Sequence, residues 1–143
     1  MLNIMDVSLA GAYQLTGHGN IFNPADSTTY YYGSIYTLAP GTTEGVRKIF
    51  VPRSGTLKAV YMVTVSLSPG SSETSTLSVR LNGSSSTSAI TGITLDSTSG
   101  NFSATGLSIS LAVGDYIEYQ WAQPAYVTNP TSVYVWTTAL VEF

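Results

Sequence analysis

The sequence has no cysteine, one histidine and few charges: five Lys and Arg against eight Asp and Glu in 143 residues, a charged fraction of 9% and a formal net charge of −3. Without cysteine there is no disulfide framework, no thiolate metal site and no cysteine nucleophile, although the redox compartment stays open. Five cations are too few to form the basic face that displaces counterions from phosphates, which excludes nucleic acid as a partner. No stretch reaches the roughly 18 apolar residues of a membrane span, and residues 1–11 lack the basic start and long apolar core of a secretory signal. The expectation is a chain with neither membrane nor export address. Helical patterning is also missing: no window sustains apolar residues at i, i+3, i+4 and i+7.

What remains is a neutral, hydroxyl-rich chain. Its charged fraction lies far below the usual value of about 25%, so Ser, Thr, Asn, Gly and Tyr must cover much of the surface, as suits extracellular and virion proteins. The length fits one domain, and 43% hydrophobic residues are enough for a core. Residues 57–67 alternate apolar and polar, which predicts a long strand with its odd positions facing the core. Residues 76–81 alternate cleanly into Asn82-Gly83, the dipeptide that most readily turns a hairpin. Further strands are expected at 47–51, 88–94, 101–103, 107–111, 115–121 and 133–142, with Gly and Pro turns between them. Many short strands at close spacing predict an all-β antiparallel sandwich or barrel. The turn-rich residues 1–25 read as an N-terminal arm or edge-strand segment, and residues 26–143 as the domain.

Chemistry is sparse. His18, between Gly17 and Gly19, reads as a turn residue. Within one chain it has no second imidazole or thiolate with which to hold a metal, and only across a symmetry axis would copies of it meet. The carboxylates form neither a calcium loop nor an acid–base pair, and there is no serine elbow and no phosphate loop. The expectation is a non-enzyme with no catalytic residues, metal or cofactor. Glu118, inside an aromatic strand, reads as a solvated or Arg-paired edge position. Arg47, Lys48, Arg53 and Lys58 concentrate four of the five cations and are expected in solvent, where they would suit an acidic partner. Tyr30-Tyr31-Tyr32 reads as a staple between arm and sandwich rather than a sugar platform. Asn82-Gly-Ser and Asn101-Phe-Ser match the glycosylation pattern, a chance match in a chain so rich in Ser and Thr.

The last third runs from an apolar strand at 107–113 into Gly114-Asp115, then the aromatic Tyr116-Ile-Glu-Tyr119, a Pro-containing loop, and an apolar closing strand from Val133 to Phe143. This order resembles the closing strands of the tumour-necrosis-factor and complement globular-head superfamily. It also resembles small jelly-roll domains of bacteriophage structural proteins, through the Tyr-rich segment, Val51-Pro-Arg-Ser-Gly-Thr56 and Arg80-Leu-Asn82. The resemblance implies a trimeric jelly roll with the sheet bearing the Gly-Asp turn facing the three-fold axis. Gly114, Asp115, Asn82 and Gly83 are then structural turn residues. Because Tyr and Trp are enriched where an apolar face meets a partner, Tyr116, Tyr119, Trp121, Tyr134, Trp136 and Phe143 are the trimer-interface candidates. The function so implied is that of a virion structural module, a capsid-decoration or projecting protein whose partners are its own copies and other virion proteins. The alternative is a receptor- or carbohydrate-binding head that meets host-surface glycans through loops 84–89 and 123–130.

Overall fold

Turn chemistry and β-branched alternation divide the described residues into ten strands. A computed structural model describes residues 11–35 and 37–143 and contains no helix among them. In chain order the strands are β1 (Ala12–Phe22), β2 (Thr29–Tyr32), β3 (Ile49–Phe50), β4 (Gly55–Ser68), β5 (Ser75–Leu81), β6 (Ser85–Ile93), β7 (Ser99–Ala104), β8 (Ile109–Leu111), β9 (Tyr116–Ala122) and β10 (Thr131–Glu142). All pairings are antiparallel and nested: β1 with β10, β2 and β3 with β9, β4 with β7 and β8, and β5 with β6. Two further pairings, β10 with β4 and β9 with β5, roll this long ribbon up. The product is a jelly roll of two five-stranded sheets. Sheet I runs β1-β10-β4-β7 with β8 beside β4, and sheet II runs β2-β9-β5-β6 with β3 beside β9.

Of the two readings of residues 1–25, arm or edge strand, the described part is the edge strand, and only the start of the domain at residue 26 shifts. Residues 12–22 form β1, paired with β10 along its length as the edge of sheet I, so the sandwich begins well before residue 26. Residues 1–10 lie outside the described residues. The glycines that read as turn signals are close-approach positions within this strand. A Cβ on Gly17 would sit 2.6 Å from the Tyr119 ring, and one on Gly19 would sit 2.5 Å from Pro40. His18 is therefore a strand residue and not a turn residue.

β4 carries the second correction. Val141 of β10 pairs with Leu57 and Leu140 with Ala59, leaving Lys58 as an extra residue, a β-bulge. One inserted residue exchanges the two faces of everything beyond it. Leu57 is buried, but past the bulge the even positions Met62, Thr64 and Ser66 face the core, while the odd positions Tyr61, Val63, Val65 and Leu67 point outward. Leu57 and Ala59 are buried as alternation expects, but from Tyr61 on the expected core face of β4 is its solvent face.

The core between the sheets includes Leu57, Val60, Met62, Leu77, Ile93, Ile117, Val133 and Ala139, with three large aromatics at its centre. Tyr32, Tyr119 and Trp121 are fully buried, and each polar tip has a partner. The Tyr32 hydroxyl lies 2.6 Å from Thr137 Oγ1, the Tyr119 hydroxyl donates to the Leu15 carbonyl at 2.5 Å, and Trp121 Nε1 donates to Ser75 Oγ at 2.7 Å. These bonds allow amphipathic rings to be buried without unpaired groups. Tyr119 and Trp121, expected as interface residues, belong to this core and have no surface to offer a partner.

Candidate interaction face

Beyond the bulge, the outward side chains of β4 stand beside those of β10. The register sets Tyr134 by Val65, Trp136 by Val63 and Thr138 by Tyr61. On the flanks, β1 adds His18 next to Trp136, and β7 adds Asn101 next to Val63. One cross-strand row therefore reads His18, Trp136, Val63, Asn101. Large apolar groups stay in water here: Trp136 is 57% exposed, Tyr61 48%, Val63 45% and Leu67 62%. Two shallow grooves of about 340 and 240 Å³ flank the Val63–Trp136 pair, one toward Phe102 and Asn101, the other toward His18 and Tyr134. None of the described residues lining either groove is Asp, Glu, Lys or Arg. A contiguous apolar, aromatic and charge-free patch has the chemistry of an interface centre.

The outer side of sheet II differs. Across it lie residues 41–47, held by a Tyr31–Gly41 bridge and by the Arg80–Glu44 ion pair at 2.6 Å. Glu118 is fully buried beneath these residues, and it is neither solvated nor at an edge, because β9 lies between β2 and β5. Its Oε1 accepts from the Gly45 N–H at 2.6 Å and its Oε2 from the Arg47 N–H at 2.9 Å. Arg47 is buried as well and donates through Nε to the Ala39 carbonyl. Burial lowers the Arg47 pKa, and the nearby Glu118 charge opposes that shift. The polar, strapped sheet is the one bearing the strand after the Gly-Asp turn, so the apolar face that no described residue covers belongs to the other sheet.

The remaining residues singled out by sequence fall at separate places. Tyr116 meets Phe50 edge-on, with the Lys48 ammonium 4.5 Å from its ring centre. Phe143 stacks on Tyr13, and the Arg53 guanidinium lies 3.7 Å from its ring centre. Lys58 is at the bulge, so the four neighbouring cations do not converge, and Arg47 is not in solvent. Tyr30 and Tyr32 point into the core and Tyr31 bridges to Gly41, which leaves no run of free rings for a sugar.

The turn residues do converge. Asn82, Gly83 and Gly114 have positive φ of 51°, 67° and 87°. Asn82 Nδ2 donates to Asp115 Oδ1, Asp115 Oδ2 accepts from the Ala112 N–H, and Asn82 Oδ1 accepts from the Tyr116 N–H. The Asn82 amide, then the Ala112 N–H, hold the Asp115 carboxyl below its ordinary pKa. This clasp ties the β5–β6 hairpin to the β8–β9 turn.

Among the described residues no three His, Asp or Glu side chains lie close enough to share a metal. The outward Tyr61, Val63, Val65 and Leu67 are the residues that alternation alone assigns to the core, and no local signal in the sequence marks the bulge that turns them out.

No protein-family model and no curated protein matches the sequence. Among solved structures, the chain is similar to FLHE, with 16% identity and a TM-score of 0.50 over 94% of this chain and 96% of that one. It is also similar to the globular domain of a zebrafish complement 1qA protein, with 14% identity and a TM-score of 0.49 over 92% and 96% of the two chains. At 16% identity the likeness to FLHE extends to the fold and no further, and the strand pairings make that fold the all-β, antiparallel jelly-roll sandwich.

Proposed function

We propose that the protein is a non-enzymatic structural module that assembles as a homotrimer through the outer face of sheet I, and that it serves in a phage-like virion as a capsid-decoration or projecting protein. The supporting observation is the apolar, uncharged face of β4 and β10, built by a bulge that turns Tyr61, Val63, Val65 and Leu67 outward and leaves Thr64 and Ser66 in the core. For a monomer this arrangement is costly; for an oligomer it buries aromatic and branched side chains of several copies together. Three-fold symmetry and the virion setting rest on the resemblance of the closing strands to trimeric heads and phage jelly rolls. The axis would then lie against sheet I rather than against the sheet of the Gly-Asp turn.

A recognition head is the second reading, favoured by the loop at 123–130. Asp26 accepts from the Tyr126 N–H and the Asn129 amide, and Glu73 accepts from the Val127 N–H, so the loop is held in one shape with Val127 at its exposed tip. Size-exclusion chromatography with light scattering tests the first reading. The expected mass is three times 15.1 kDa, and Val63→Glu is expected to give a folded monomer. A wild-type monomer at all concentrations overturns it. Retention of the trimer on a glycan or host-surface array favours the recognition head over pure decoration.

A further inference from the structure

We infer that association through sheet I is controlled by protonation of His18, so that copies assemble when it is neutral and separate when it carries charge. The inference rests on the assembly reading above and concerns the regulation of that same face.

His18 is the chain's only histidine, and it lies within the apolar face. Its ring centre is 4.7 Å from that of Trp136, the most exposed aromatic of β10, with the planes inclined by 53°. Val63, Val65 and Tyr134 complete the groove beside it. Around the His18 ring every described element packed against it is uncharged on this side; the one carboxylate of the same parity on β10, Glu142, stands at the far end of the strand beside Ala12. β1 contributes Thr16 and Asn20, β10 contributes Tyr134, Trp136 and Thr138, and β4 contributes Tyr61, Val63 and Val65. The chain from Gly33 to Gly41, which meets β1 at the His18–Gly33 bridge, contains no Asp, Glu, Lys or Arg. The phenols of Tyr61 and Tyr134 are the only other titratable groups among the described residues that line the two grooves. Among the described residues near it, the imidazolium therefore has no carboxylate to pair with.

In a free chain the half-buried imidazole is hydrated whether charged or neutral. When a second copy covers the face, the neutral ring is accommodated against indole and valine, whereas the cation loses water and gains no counter-charge. The Trp136 ring returns part of that loss by cation–π attraction. In a trimer the penalty recurs in every copy. The assembled state thus binds fewer protons than the separated chains, so association is stronger at neutral pH than in acid.

The test is dilution of the full chain, wild type and His18→Gln, followed by light scattering near pH 7.5 and near pH 5, with circular dichroism to verify folding. For the wild type, the concentration of half-dissociation is expected to rise at least ~10-fold at the lower pH, while His18→Gln dissociates at the same concentration at both. Equal association of the wild type at both pH values overturns the inference and leaves the interface standing, as does a parallel loss in His18→Gln. A monomer under all conditions overturns the interface itself.

Discussion

Glu118 shows what a single buried charge does in this chain. Its carboxylate occupies the middle of sheet II and satisfies two N–H groups of the strap over that sheet, those of Gly45 and Arg47. Glu118→Gln keeps the shape but sets an amide N–H against one of those donors, replacing a charge-assisted bond by a clash of donors. The expected cost is about 2–3 kcal/mol of unfolding free energy in urea titration, with faster hydrogen exchange at Gly45 and Arg47. At this scale the sequence was informative about turns. Asn82-Gly83 and Gly114-Asp115 were legible because their chemistry is local. Their mutual clasp was not, since Asn82 and Asp115 are 33 positions apart and meet only through the pairing of β5 with β9. For the same reason Glu118 read as an edge residue: its surroundings are set by the distant residues 41–47.

Strand parity governs the next scale. Alternation located β4 correctly, and it identified the wrong face because it carries one phase from Leu57 to Leu67. The extra Lys58 resets that phase, and a bulge leaves no compositional trace in a strand with apolar residues on both sides. Adjacent positions should therefore respond in opposite ways. Met62→Ala removes a side chain that is 1% exposed and should cost about 2–5 kcal/mol. Val63→Ala, at a dilution where the chain is monomeric, should change stability by less than about 1 kcal/mol, because its side chain already meets water. Urea midpoints of the two variants decide the matter, and similar losses would mean that the odd positions face inward after all. β1 teaches a related lesson. Gly17 and Gly19 looked like turn residues, yet a strand needs glycine wherever a ring or proline from another layer comes within van der Waals range.

For the molecule as a whole, the excess of aromatic residues has two destinations that composition could not separate. Part of it fills the core with its hydroxyls paired, and part stands on the outer face of sheet I. The buried part has a consequence in alkali. Burial pushes the hydroxyls of Tyr32, Tyr119 and Tyr126 up from their ordinary value, aided at Tyr119 by Tyr32 and at Tyr126 by Glu73 and Asp26. A group that holds its proton more tightly in the fold than in the unfolded chain stabilises fully below its unfolded pKa, here about 10, and loses that contribution as pH rises further. Stability should therefore hold to about pH 9 and fall above about 10, each such tyrosine steepening the fall by up to ~1.4 kcal/mol per pH unit. Tyr32→Phe separates this effect from general alkaline damage. At neutral pH the variant lacks the bond to Thr137 and should be less stable than the wild type by about 1 kcal/mol. Above pH 10 the gap should close, because phenylalanine has no proton to lose in the unfolded chain. Urea midpoints between pH 8 and 11 measure both curves, and a gap that stays constant would show that ionisation of Tyr32 plays no part in the alkaline limb.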